Sequence, residues 1–165
     1  MPKSVRDWAE SVGGLRVLFV GDSIIDEYCY VEALGKSPKE HLIATRHVSV
    51  ERFEGGVKAA AAHLRTFVKE VEVLYGPQET SKRRFIDMTY VRKLFEVQYQ
   101  YAGNHRTIED ISRFDVVVVC DFGHGAVTDG LKAKLEKEAR FLVVNAQTNA
   151  ANFGFNLVTK YGRAD

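Results

Sequence analysis

The run Asp115-Val116-Val117-Val118-Val119-Cys120-Asp121 leaves the chain little choice of fold. Four successive β-branched residues are stiff and favour an extended backbone, and a stretch apolar at every position has no face to offer water. It is predicted as a strand of a parallel sheet, buried on both sides. Leu15-Arg16-Val17-Leu18-Phe19-Val20-Gly21-Asp22 reads the same way, its strand ended by Gly21-Asp22. Val71 to Leu74, stopped by Gly76-Pro77, and Phe141 to Val144 give two more strands.

Helical segments alternate with these strands. Ser4 to Val12 is predicted as a short helix with Ser4 as N-cap and Gly13-Gly14 as its stop. Val57 to Lys69, alanine-rich with Leu64, Phe67 and Val68 on a helical period, follows a Gly55-Gly56 turn. Thr107 and Asp110 suggest a capping box before a helix over Ile108 to Phe114, and Thr128 caps Asp129 to Arg140. Strand and helix in alternation imply an α/β, three-layer, Rossmann-like fold. His41 to Phe53 stands apart, because its apolar and polar residues alternate as on a half-exposed sheet or flap. Arg84 to Asp87 and Leu94 to Tyr101 read as two further strands.

The 165 residues are expected to form a single domain, 1–165, with 41–53 as the β flap. Lysine plus arginine total 23 against 22 acidic residues, a net charge of +1, which argues against a dedicated nucleic-acid binder. Cys29 and Cys120 lie far apart, form no metal-binding pair and fit a reducing compartment. No stretch has the length of a membrane span and Met1 to Gly14 lacks a signal-peptide core, so a soluble cytoplasmic protein without a membrane partner is expected. The apolar group Phe153, Phe155, Leu157 and Val158 close to Asp165 suggests a core with further partners beyond this sequence.

Four constellations carry candidate chemistry. In Gly21-Asp22-Ser23-Ile24-Ile25-Asp26, a carboxylate just past a buried strand can accept hydrogen bonds from sugar hydroxyls, or Asp22 or Asp26 can cap the next turn. Gly55-Gly56 lets a ligand approach the backbone at a helix start, or serves as a flexible lead into a packed helix; it is not a phosphate-binding P-loop. Lys82 and Arg84 share one face of a strand and can hold a phosphate, or form a solvated edge that discourages aggregation. Asp121-Phe122-Gly123-His124-Gly125 follows the valine strand, where open α/β sheets bind ligands, with His124 either titrating usefully or merely solvated. The protein-kinase reading of Asp121-Phe122-Gly123 fails for want of its companion motifs.

In this order, the four pieces resemble the PfkB (ribokinase-like) carbohydrate kinases, most closely the heptose-phosphate kinase domain of bifunctional ADP-heptose synthases. The likeness runs from Leu15 to the end of the chain and includes Asn145-Ala146-Gln147-Thr148-Asn149 and Asn152-Phe153-Gly154-Phe155-Asn156. It implies the N-terminal part of a ribokinase fold, with Asp22, Asp26, Gly55, Gly56, Lys82, Arg84 and Asp121 as substrate-binding residues. Among these, Asp26 would take sugar hydroxyls, Gly55-Gly56 would form the substrate loop, and 41–53 would close over a sugar or sugar phosphate. In the family, ATP and magnesium bind mainly through later Asn-x-x-Glu and Gly-Ala-Gly-Asp motifs. This sequence matches neither, so no catalytic or metal-ligating residue is assigned and the isolated chain is expected to bind no cofactor and to be inactive.

Two departures from the family pattern stand out. The asparagine of the Gly-Gly-helix segment is replaced by alanine within Ala59 to Ala62, and Asp-Pro-Lys by Asn145-Ala146-Gln147. They leave open a non-catalytic binding or assembly module, while a flavodoxin-like signalling domain lacks its acidic phosphoacceptor cluster. The resemblance also makes the flap a candidate homodimer surface, the alternative partner being a missing C-terminal half.

Overall fold

The computed structural model describes residues 4–101, 106–148 and 154–165. Asn149, Asn152 and Phe153 of the heptose-kinase-like stretch therefore lie outside the described residues. The elements in chain order are α1 (Val5–Val12), β1 (Arg16–Gly21), β2 (Ser23–Lys36), β3 (Ile43–Gly56), α2 (Val57–Leu64), β4 (Glu70–Leu74), β5 (Thr80–Asp87), β6 (Arg92–Tyr99), β7 (Val116–Asp121), α3 (Asp129–Glu138) and β8 (Leu142–Ala146). A single 3₁₀ turn spans Val158–Lys160.

β4, β1, β7 and β8 form a parallel sheet in that order. The valine strand β7 lies inside it, between β1 and β8, as its unbroken apolar run requires. One face of the sheet buries Leu18, Val20, Val117, Val119 and Leu142 under Leu131 and Leu135 of α3, with Ile111 and Phe114 completing the cluster. The other face buries Val17, Phe19 and Cys120 under Val57 and Ala61 of α2. Helices thus cover both faces, and the fold is the three-layer α/β arrangement expected.

A second, mixed sheet runs β3-β2-β5-β6. β2 pairs antiparallel with β3 and parallel with β5, which pairs antiparallel with β6. Asp26 caps no turn after β1, because Ser23–Lys36 is a 14-residue strand. Asp26 and Glu27 interrupt its apolar run, and both are neutralised by arginines that only the folded sheet brings near. The flap is consequently a four-stranded sheet, wider than the strand expected over 41–53.

Other boundaries also move. Gly55 and Gly56 are the last residues of β3, paired with Ile24 and Ser23, and do not form a turn. α2 stops at Leu64, short of Lys69, whose amide, like that of Glu70, donates to the Leu15 carbonyl. Ile108–Phe114 is not helical. Asp110 accepts the Ser112 amide (2.9 Å) and hydroxyl (2.7 Å), a local turn that competes with the helix. Ser4 and Thr128 do cap α1 and α3, through the amides of Asp7 and Leu131. Among the described residues no helix is long and apolar enough to cross a membrane.

Candidate functional site

Asp22 and Asp121 stand at the carboxyl edge of the parallel sheet, where open α/β sheets bind ligands, and Asp26, Gly55, Gly56, Lys82 and Arg84 belong to the mixed flap sheet. Asp22 follows β1 and is 2% exposed. Its carboxylate accepts backbone N–H groups from Phe122 (2.7 Å), His124 (3.2 Å) and Ala126 (2.9 Å). One side chain therefore shapes the whole 122–126 loop, a contact that crosses about a hundred residues of sequence. The Asp22 carbonyl accepts the Val57 amide (2.9 Å), so the same residue also anchors the start of α2.

Gly56 makes that approach feasible. Its φ of +60° favours glycine, and a Cβ there would stand 2.2 Å from the Asp22 carbonyl oxygen. At Gly55 a Cβ would stand 2.9 Å from Asp26 Oδ2. The two glycines bring β3 close against both aspartates.

Asp121 ends β7 and is 2% exposed. It accepts the Tyr161 hydroxyl (2.6 Å), the Gly123 amide (3.0 Å) and the Lys160 ammonium (2.5 Å). Burial pushes its carboxyl up, but Lys160, Tyr161 and the Gly123 amide outweigh this and hold it below the usual carboxylate value. Asn156 closes the other side, donating to the carbonyls of Asp121 (2.8 Å) and Gln147 (3.3 Å) and accepting from Lys160. A cleft of about 230 Å³ opens here between Asp121, Gly123, Gly125, Phe155, Asn156 and Lys160.

On the flap, Asp26, Lys82, Arg84 and Glu96 share one face, as the register Asp26↔Lys82 and Arg84↔Glu96 requires. Arg84 bridges Asp26 (2.5 Å) and Glu96 (2.9 Å) and lies over the Tyr28 ring at 5.3 Å. Lys82 joins no ion pair among the described residues. On the opposite face Glu27 is buried and held by Arg52 (2.6 Å) and Arg83; Arg83 above all, against the opposing cost of burial, keeps its carboxyl below the usual value.

His124 links the two sheets electrostatically. Burial lowers its basicity, and Lys82 lowers it further, against the pull of Asp22 and Asp121. Its Nε2 is buried without a hydrogen-bond partner among the described residues, as is Thr80 Oγ1 at the start of β5. Cys120, beneath the same edge, is pushed up to about 11 by burial and by Asp22, and is an inert core thiol.

The structure thus brings Asp22, Asp26, Gly55 and Gly56 together, sets Lys82 close enough to His124 for its charge to be felt, and ties Arg84 to Asp26. Asp121 faces Asn156, which belongs to the stretch that carries the family resemblance, and Lys160 and Tyr161, which no local pattern marks because their partner lies about 40 residues away. Among the described residues no group of three His, Cys, Asp or Glu side chains is arranged to hold a metal ion. The oxygens of Asp22 and Asp121 accept from backbone amides, from the Tyr161 hydroxyl and from the Lys160 ammonium.

The molecule is defined by this geometry as an α/β protein whose parallel-sheet edge adjoins a β flap. Solved structures with a similar arrangement include ribokinase from Thermotoga maritima (12% identity, 79% of this chain and 52% of that one, TM-score 0.44). Ribokinase from Cryptococcus neoformans in complex with ADP is similar at 11% identity, over 80% of this chain and 49% of that one, with a TM-score of 0.46. The nucleoside kinase of Methanocaldococcus jannaschii, an archaeal member of the ribokinase family, is similar at 11% identity over 80% and 52%, with a TM-score of 0.41. The chain spans about half the length of these structures. No protein-family profile and no curated protein sequence matches it.

Proposed function

We propose that this chain is the sugar-holding portion of an ATP-dependent carbohydrate kinase, binding a sugar or sugar phosphate between the flap and the edge of the parallel sheet. The observation that carries the reading is the close seating of Gly55 and Gly56 against Asp26 and Asp22. It puts a backbone approach, a half-exposed carboxylate and the Lys82 ammonium side by side at the place where α/β sheets receive ligands. Sugar hydroxyls would exchange hydrogen bonds with the Asp26 carboxylate, for which Arg84 is the standing partner. ATP and magnesium belong to segments whose Asn-x-x-Glu and Gly-Ala-Gly-Asp motifs this sequence lacks. The chain alone therefore binds without phosphoryl transfer, since that chemistry rests on positioning and charge stabilisation. The exposed flap strand β3 is the proposed contact for a second copy, and two buried, unbridged cysteines suit a reducing cytosol.

An NMR titration of the labelled chain with heptose and hexose phosphates, and separately with magnesium-ATP, tests this. Shifts at Asp26, Gly55 and Gly56 with sugar, none with ATP, and no turnover in a coupled assay are expected. Silence toward every sugar would overturn the reading and favour a non-catalytic assembly module, which the Arg84–Asp26 pair and Ala59 to Ala62 would then explain.

A further inference from the structure

A cleft of about 320 Å³ lies between the exposed face of α2 and the edge strand β4, lined by Glu54, Lys58, Ala62, Arg65, Val73 and Tyr75. It takes no part in the seating of Gly55 and Gly56, and the sugar-site reading does not use it. Helical spacing explains its wall, because Lys58, Ala62 and Arg65 sit at i, i+4 and i+7 on one face. Ala62 leaves the middle of that face open.

The charges converge on Tyr75. Lys58 Nζ stands 4.8 Å from the ring centroid and the Arg106 guanidinium 5.5 Å from it, while Arg65 lines the same cleft. Lys58 is already matched, by Glu54 at 3.2 Å and Glu79 at 2.8 Å. Neither Arg65 nor Arg106 joins an ion pair among the described residues. With Lys58 matched by two carboxylates, the positive charge left over at the cleft is that of Arg65, on its wall, and Arg106, over the Tyr75 ring, and a bound anion would offset it. Guanidinium forks suit oxyanions, and above all the bidentate geometry of a phosphoryl group.

We propose that the α2–β4 cleft is a second ligand site, taking the phosphate or diphosphate group of a small molecule between Arg65 and Arg106, with Tyr75 as its floor. A small-molecule source follows from the volume, which suits a ligand enclosed by one cleft rather than a polymer laid across a face.

The probe is inorganic pyrophosphate, titrated into the full chain at physiological salt and followed by calorimetry and by residue-resolved NMR. Saturable binding with shifts at Tyr75, Ala62 and Arg65 is expected, weakened about tenfold in each of Arg65→Gln and Arg106→Gln. Both side chains are exposed, so the variants should keep the wild-type circular dichroism, and Arg6→Gln serves as a control that leaves binding unchanged. Unaltered affinity in the double variant, shifts confined to Lys82 and His124, or equal displacement by chloride would each overturn the proposal. Sugar-induced shifts at Asp26 and Gly55 should persist in both variants, so the fate of the sugar site is read independently.

Discussion

Asp22 and His124 show how much a single buried polar group can organise. Asp22 satisfies three amides of the 122–126 loop and, through its carbonyl, the first amide of α2. Hydrogen bonds to a charged acceptor are the stronger kind, and a buried amide left without one is costly. His124 is held in that loop, with burial as the largest cause of its lowered basicity and the charges of Lys82, Asp22 and Asp121 around it. Between its lowered value and about 6.5, the unfolded chain binds a proton that the folded chain refuses. Stability contributed there is present above that window and is lost as pH falls through it. Urea denaturation at pH 7.5 and pH 5.5 should show a smaller loss on acidification for His124→Gln than for the wild type. A further decline below about pH 4.5, where Glu27 and Asp121 begin to lose their lowered-pKa advantage, should persist in the variant.

At the scale of elements, the junction of β3 with α2 decides whether the flap and the parallel sheet hold a fixed relation. Gly56 ends β3, pairs with Ser23 and passes directly into α2, so one residue serves strand, helix and site. Gly56→Ala would meet both a disfavoured φ and the Asp22 carbonyl. We expect a loss of about 2 kcal/mol or more in chemical denaturation, from left-handed strain together with the displaced hydrogen bond between Asp22 and Val57. NMR shifts should spread from Gly56 to the 122–126 loop, which depends on Asp22. An alanine variant as stable as wild type, with unchanged loop resonances, would show that this junction is less tightly fitted than described.

For the molecule as a whole, the two sheets differ in how they are secured. The parallel sheet is covered on both faces by helices and loops that bury Val17 to Val20, Val117 and Val119. The flap instead exposes Val48, Val50, Phe95 and Val97, and beyond Val31 its β2 strand pairs with β3 alone, since pairing with β5 ends at Val31↔Asp87. A two-stranded ribbon in water is marginally stable. Native-state hydrogen exchange should therefore find amides of 32–36 and 43–46 exchanging far faster than those of β1 and β7, whose opening approaches global unfolding. Protection of the ribbon that rises with protein concentration would indicate a second copy on the flap, as proposed above.

Much of this architecture was legible beforehand, for a local reason. The apolar runs of β1, β4, β7 and β8 and the caps Ser4 and Thr128 express rules that act within a few residues, and the structure places a strand or a cap at each. The motif residues Asp22, Asp26, Gly55, Gly56 and Asp121 were likewise visible as types of residue beyond strands or before a helix. What they touch was not. Whether Asp26 meets Arg84, whether Glu27 can be buried between Arg52 and Arg83, and whether Asp121 finds Lys160 depend on contacts 25 to 58 residues apart. β2 shows the same division. By itself Ser23–Lys36 carries two adjacent acids, Asp26 and Glu27, between the apolar residues of its first half, a poor strand until neighbouring strands supply the arginines. Local propensity determined the layers, and only tertiary structure decided which charges are neutralised, because pairing a buried charge requires partners that sequence distance conceals.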